Sequence, residues 1–406
     1  MNRFLFAVAI AATVALAVLA ADSGFGVGRP HASRLDGAAA AVEAVEFPTL
    51  QAAIDALPDE GGIVRLPAGT FEIDEPLVIR GDDVCLEGAG TATHIKNTNT
   101  ARQPAILLAH YEHKGDANDR EHELWRVRLA HFRLTGNENS GAGIVARNVN
   151  EIHLDGITVS EHGGDGVLLS YCYEDPRVCQ SLFTYNKGTG LNLRGCHDIV
   201  VSANQFEENQ DALHCTDGFN LCMTGNCLDD HLGHGVVIEN TYGSVVSGNM
   251  IEECAGTAIV VDRDCYGIAF CANVIAHDGA GIDLRDAHGC SVSANTFTIM
   301  KTAALRIGPK SGRITVGGNC FSSSYIGEGT DKRVADDRTA AGLVIEKAHG
   351  VLVDGNLFSG IDAPAIAGAS SGESQSMLSH NLFIETEPGV PAEEIKQLVS
   401  EGNYAD

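Results

Sequence analysis

Two aspartates and three histidines, Asp211, His214, Asp230, His231 and His234, fall within residues 211–234. A carboxylate beside an imidazole orients the ring and raises its pKa, which suits general acid–base work. Arg194, Arg285 and Arg306 supply planar donors that grip a carboxylate in bidentate fashion. Together these groups would draw a proton from C5 of a uronic acid, and collapse of the anion gives elimination or epimerisation. Paired carboxylates, Asp211 with Asp217 or Asp230, would instead serve glycoside hydrolysis.

Such chemistry needs these residues on one surface, and a repeat places them there. Asn204, Asn226, Asn249, Asn273, Asn295, Asn319, Asn356 and Asn381 each sit in the phrase apolar–x–small–Asn–x–apolar. The steps between them are 22, 23, 24, 22, 24, 37 and 25 residues. A period of this length marks a solenoid, in which one repeat is one turn and cannot bury its apolar face alone. The phrase reads strand, sharp turn, strand. Side chains alternate along a strand, so the positions five and three before Asn, and two after it, point inward. A second inward pair, such as Val236/Ile238 or Ile282/Leu284, lies about eleven to thirteen residues earlier. Extending the slots back to Phe132 predicts about eleven coils of parallel strands, a rod on the order of 50 Å at ~4.8 Å per coil. The asparagines themselves read as structural: Asn tolerates left-handed backbone angles, and its amide can bond to the next Asn in the stack.

The alignment turns distant residues into rows. The outward slot gives Asn192, His214, Val237, Val260, Asp283 and Arg306. Two residues later come Arg194, Thr216, Glu239, Asp262 and Arg285, and the turn before the strand gives Asp165, Thr189, Asp211, His234 and Thr257. The reading is that Asp211, His214, Asp230, His231 and His234 converge on one edge. His234, oriented by Asp211, is the first choice of base and His214 the second. Arg194, Arg285, Arg306, Asp283 and Asp217 would bind substrate.

The segment around residues 50–90 carries a family likeness. It runs Leu50-Gln51-Ala52-Ala53-Ile54-Asp55-Ala56, Gly61-Gly62-Ile63-Val64-Arg65-Leu66-Pro67-Ala68-Gly69-Thr70-Phe71, then Leu86-Glu87-Gly88-Ala89-Gly90. This resembles the leading segment of right-handed parallel β-helix proteins of the pectate-lyase-like superfamily. The resemblance implies an all-β, single-stranded right-handed parallel β-helix over residues 47–383, with a capping helix at 49–57. It also implies a polysaccharide ligand, with lyases, hydrolases, epimerases and non-catalytic surface proteins all in the superfamily. Thr216-Asp217-Gly218, Asp229-Asp230, Gly233-His234-Gly235 and Arg306-Ile307-Gly308 are similar to polygalacturonase motifs, with Cys215 and Gly308 departing from the pattern. The phrase from Asp229 to Ile238 is similar to one in alginate epimerases.

Charge and leader narrow the partners. The net charge of −27 makes nucleic acid and anionic membranes poor partners. Residues 4–20 are an unbroken apolar and small run after Arg3, read as a signal peptide cleaved near Ala20, which makes the protein secreted or periplasmic. Residues 21–46 read as a linker, and 384–406 as a C-terminal cap with a second short helix at 391–399. Long excursions are expected at 110–125 and 322–340. The acidic row Glu207, Glu208, Asp229, Asp230, Glu252 and Glu253 is a solvated edge that would take calcium if it takes any cation. The histidines lack His-x-x-x-His spacing, so no transition metal is assigned. Among the 12 cysteines, Cys172 and Cys196 share a repeat slot and are the expected bridging pair, with Cys172–Cys179 as the local alternative.

Overall fold

Each asparagine of the repeated phrase reaches the next. The side-chain oxygen of Asn226 accepts both the backbone N–H and the Nδ2–H of Asn204, at 3.0 Å each. The same double bond recurs for every step through Asn381. The Nδ2 group also reaches a carbonyl on the coil before, as from Asn204 to Val178. A buried amide is thereby fully used, which removes the cost of hiding it. The left-handed residue is not the asparagine but the small one preceding it: Ala203, Gly225, Gly248, Ala272, Ala294, Gly318 and Gly355 have φ between 54° and 66°. A small or absent side chain makes that conformation cheap, and this accounts for the small residue in the phrase.

The computed structural model describes residues 39–323, 341–368, 376–389, 398–401 and 404–405. Among these, every strand ladder is parallel, and three long sheets run along the axis with 17, 14 and 12 strands. We call them sheets A, B and C. A typical coil contributes one short strand to each, as in Leu213–Thr216 of sheet C, Cys222–Thr224 of sheet A and Cys227–Asp229 of sheet B, and some coils give sheet A two. Sheet B has three more coils than the eleven expected. Gly69–Ile73, Thr93–Asn97 and Tyr404–Ala405 pair in it without carrying the asparagine phrase.

Apolar side chains fill the interior as stacked columns. Phe297, Phe321, Phe358 and Phe383 stack with ring centroids 4.7 to 5.2 Å apart. Val246, Ile238 and Ile282 are buried, in the slots that the repeat assigned inward.

The N-terminal helix spans Leu50–Asp55, capped by the Thr49 hydroxyl, which accepts from the Ala52 N–H. Its apolar face buries Leu50, Ala53 and Ile54 over the open end of the core. Part of the expected linker is a strand: Ala40–Glu43 pairs with Gly62–Arg65 as the first rung of sheet A. Leu398–Glu401, expected at the end of a helix, is also a strand in sheet A. The signal segment, residues 21–38 of the linker, residues 324–340 and residues 391–397 lie outside the described residues. No helix among the described residues is long and apolar enough to cross a membrane.

Candidate functional site

Sheet C carries the polar rows on its outer face. Strand register puts Asn192, His214, Val237, Val260, Asp283 and Arg306 side by side on successive coils. Arg147, Ser170, Arg194, Thr216, Glu239 and Asp262 form the second row. The inward residues between them, Leu193, Cys215, Ile238 and Val261, anchor each strand in the core.

One imidazole on this face has a carboxylate partner on its ring. His214 Nε2 lies 3.0 Å from Glu239 Oε2 and 3.1 Å from Thr216 Oγ1. Glu239 also meets the Arg263 guanidinium at 3.4 Å. The His214 and Glu239 side chains are 29% and 23% exposed, so the pair is held yet reachable.

The arginines differ from one another. Arg285 Nε donates to Asp283 at 2.8 Å, and Arg306 pairs with Glu346 at 2.7 Å. Arg194, one coil before Thr216, has no ion pair or side-chain hydrogen bond among the described residues. A neutralised guanidinium is a poor anchor for another carboxylate, so Arg194 is the member of the row with free charge.

Of the five expected catalytic residues, only Asp211 and His234 are joined by a hydrogen bond, and it does not involve the ring. Asp211 accepts from the backbone N–H of His234 at 2.5 Å, not from its ring. His234 in turn accepts the Thr257 N–H on Nδ1 at 2.9 Å, so its ring continues a turn ladder. Asp165 does the same for Thr189 and also holds Asn192. Asp230 is exposed with φ 54°, at the left-handed corner of the next turn. Asp217 is at a similar corner and accepts from Asn240 at 2.7 Å.

His231 is buried, and the reason is a second ladder that the sequence reading missed. His162, Asn186, Asn209, His231, Cys254 and Asp278 stack at the turn from sheet B to sheet C. Each side-chain acceptor takes the backbone N–H one coil before: Asn186 from His162, Asn209 from Asn186, His231 from Asn209, Asp278 from Cys254. The signal was present, since these positions lie five residues after the phrase asparagines, as 231 follows 226. Mixed residue types hid it. Burial lowers the His231 pKa to about 4, and burial raises that of Asp278 to about 8. His231 Nε2 and Asp278 Oδ2 have no hydrogen-bond partner among the described residues.

Two clusters could hold a cation. Ligand atoms of Asp229, Asp230 and Glu253 lie within 4.8 Å of one another, as do those of Asp264, Asp286 and His288. Burial, then the neighbouring acids, pushes the Asp229 pKa up. The first cluster is the acidic edge singled out for calcium in the sequence.

The N-terminal end of the polar face is bounded. The excursion from His110 folds onto the rod: Asp116 pairs with Arg147 at 2.7 Å, and Asn118 donates to the Tyr173 hydroxyl at 2.6 Å. Arg120 lies over the Tyr173 ring, 4.4 Å from its centroid. Beside the face, Tyr173, His197, Phe219 and Tyr242 form a chain of ring contacts 4.5 to 5.4 Å apart, also unforeseen from the sequence. A crevice of about 650 Å³ at the N-terminal end, between Phe47, Phe71 and Pro76, is lined by no histidine or arginine.

The right handed beta helix region, as a family profile, matches residues 142–321. No curated protein matches the chain. Among solved structures, the mannuronan C-5 epimerase AlgE6 A-module of Azotobacter vinelandii is similar, with 16% identity and a TM-score of 0.58 over 90% of this chain and 99% of that one. The surface adhesin PfbA of Streptococcus pneumoniae has 13% identity and a TM-score of 0.58 over 82% of this chain and 93% of that one. The catalytic unit of a GH87 alpha-1,3-glucanase from Streptomyces thermodiastaticus has 16% identity and a TM-score of 0.52 over 90% and 69%. At such identities the likeness is one of fold. With its parallel ladders and its likeness to these structures, the chain folds as a right-handed parallel β-helix.

Proposed function

We propose that this protein acts on an acidic polysaccharide by proton abstraction at C5 of a uronate, as a lyase or C5-epimerase. One observation carries the reading: His214, held by Glu239 at 3.0 Å, stands one coil from the unpaired Arg194. Glu239 accepts the Nε2 proton of His214, which leaves the Nδ1 lone pair to act as base. Arg194 neutralises the substrate carboxylate, so that charge developing on it as the C5–H bond breaks is stabilised. Expulsion of the C4 substituent then gives an unsaturated uronate, while return of a proton from the opposite face inverts C5. The apolar leader supports export, where such polymers are met.

A second reading rests on Glu239 and Asp262, which are in register on consecutive coils. Their strand spacing of ~4.8 Å approaches the ~5 Å carboxylate separation of retaining hydrolases. Incubation with a panel of uronans and neutral glucans separates the readings. Ultraviolet-absorbing product, or inversion at C5 seen by NMR, supports the first, and its loss in His214→Ala ties it to the site. New saturated reducing ends favour hydrolysis. Binding without any product makes the protein a non-catalytic polysaccharide-binding module.

A further inference from the structure

Arg147, Ser170 and Arg194 occupy one outward column on three successive coils. Ser170 is only 2% exposed although it is on the outer face of the sheet, and its hydroxyl has no hydrogen-bond partner. The Nε of Arg147 is likewise buried and unpartnered, while one terminal nitrogen of the same guanidinium meets Asp116. Arg194 is unpaired. A buried hydroxyl without a partner is costly, and native proteins rarely leave one unless a ligand or water completes it. Here the orphan's strand position lies between those of Arg147 and Arg194, the second of them without an acidic partner among the described residues, in a chain of charge −27.

The same place is walled. His113 and Asn118 bond to Asn148, the neighbour of Arg147, and Asn118 and Arg120 engage Tyr173. The loop therefore packs on the coil at the N-terminal end of the polar column, with Asp116 on Arg147. A polymer lying along the face toward Glu239 and Asp262 would have to end at this wall.

We infer that Arg147, Ser170 and Arg194 form a subsite for the carboxylate of a chain-terminal uronic acid. The unpaired Arg194 guanidinium grips the carboxylate and the Ser170 hydroxyl donates to it, while Arg147, held by Asp116, closes the N-terminal side. The wall restricts the occupant to the end of a chain. This assignment rests on the acidic-sugar reading of the site for its ligand class, but its test does not need turnover.

Calorimetry on the full chain with D-galacturonate and D-glucuronate, their methyl esters, sulfate and acetate reads the subsite directly. A free uronate should bind, and its ester should not. Arg194→Gln should weaken uronate binding by about tenfold or more, the loss expected for a charge-assisted hydrogen bond. Ser170→Ala should weaken it severalfold without lowering the melting temperature, because it removes an unsatisfied hydroxyl. That combination separates a ligand group from a structural one. Ester binding equal to acid binding, sulfate or acetate binding as tightly as uronate, or unchanged affinity in both Ser170→Ala and Arg194→Gln would each overturn the assignment. If no uronan is turned over yet Ser170→Ala still loses uronate, only the catalytic reading falls. If uronans are turned over while these variants bind as the wild type, only the subsite falls.

Discussion

Nε2 of His214 lies 3.0 Å from Oε2 of Glu239, across one step of the solenoid and two residue positions along the strand. The carboxylate is fixed in turn by Arg263 from the following coil. Three coils thus hold one imidazole in one orientation. Glu239→Gln keeps the shape but can present an amide N–H to the ring and favour the wrong tautomer. Turnover should then fall by about 10²-fold or more, with the melting temperature little changed. His214→Ala should fall at least as far. Steady-state rates on the responsive polymer check both, and wild-type rates would remove the pair from the mechanism.

His234 should behave differently. Its Nδ1 accepts the Thr257 N–H, so His234→Ala leaves that donor without its acceptor. The expected outcome is a stability loss of about 1 kcal/mol with turnover retained. Urea unfolding beside an activity assay decides it. A collapse of activity at unchanged stability would return His234 to the centre of the chemistry.

Asp278 gives the fold a pH dependence. Its pKa is about 8 when folded, raised from 3.8 chiefly by burial. The folded state therefore favours the protonated acid, so stability from this group is full below pH 3.8 and declines as pH rises toward 8. His231 works in the opposite window: its folded value of about 4, against 6.5, costs stability as pH falls from 6.5 toward 4. Asp278→Asn keeps the acceptor for the Cys254 N–H and cannot ionise. Its unfolding free energy should exceed that of the wild type by an amount that grows from pH 4 to pH 8, reaching a few kcal/mol in order of magnitude, and its melting temperature should rise with it. Thermal scans across that range test it, and a difference that shrinks with rising pH would contradict the burial argument.

Val246 is fully buried in sheet A between Met223 and Phe270. Val246→Asp places a carboxylate where no partner exists, at a cost of several kcal/mol in order of magnitude. The coil should open and the melting transition drop sharply or broaden. Ile282→Asp should do the same from sheet C. Melting like the wild type would mean that the inward assignment fails.

Cys172 and Cys196 are buried free thiols at equivalent positions on consecutive coils, since Ser170 pairs with Arg194 two residues earlier. That spacing of ~4.8 Å falls within the α-carbon range that a disulfide spans. Refolding with oxidised glutathione should join them, as the glutathione is reduced. Cys179, the local alternative, lies on the outer face of sheet A with its Sγ 3.3 Å from the Ser202 hydroxyl. Peptide mapping without reduction reads the outcome, and two free thiols after such refolding would remove the pair.

The asparagine phrase determined the solenoid, because a period near 23 residues with inward apolar slots can bury its core only by stacking. It also determined the rows on sheet C: side-chain alternation and a constant coil length leave no freedom in which residues become neighbours. What the repeat could not decide was direction and partnership at the turns. His231 and His234 are three residues apart, yet one is buried in a ladder and the other lends its ring to a backbone N–H. That difference depends on a left-handed corner at Asp230, a backbone angle that no residue type announces. Likewise Arg285 and Arg306 read as free cations, yet Asp283, two residues earlier on the same coil, takes the first and Glu346, on the following coil, takes the second. Periodicity fixes which residues share a row, whereas hydrogen bonds formed across coils fix which of them remain available to a ligand.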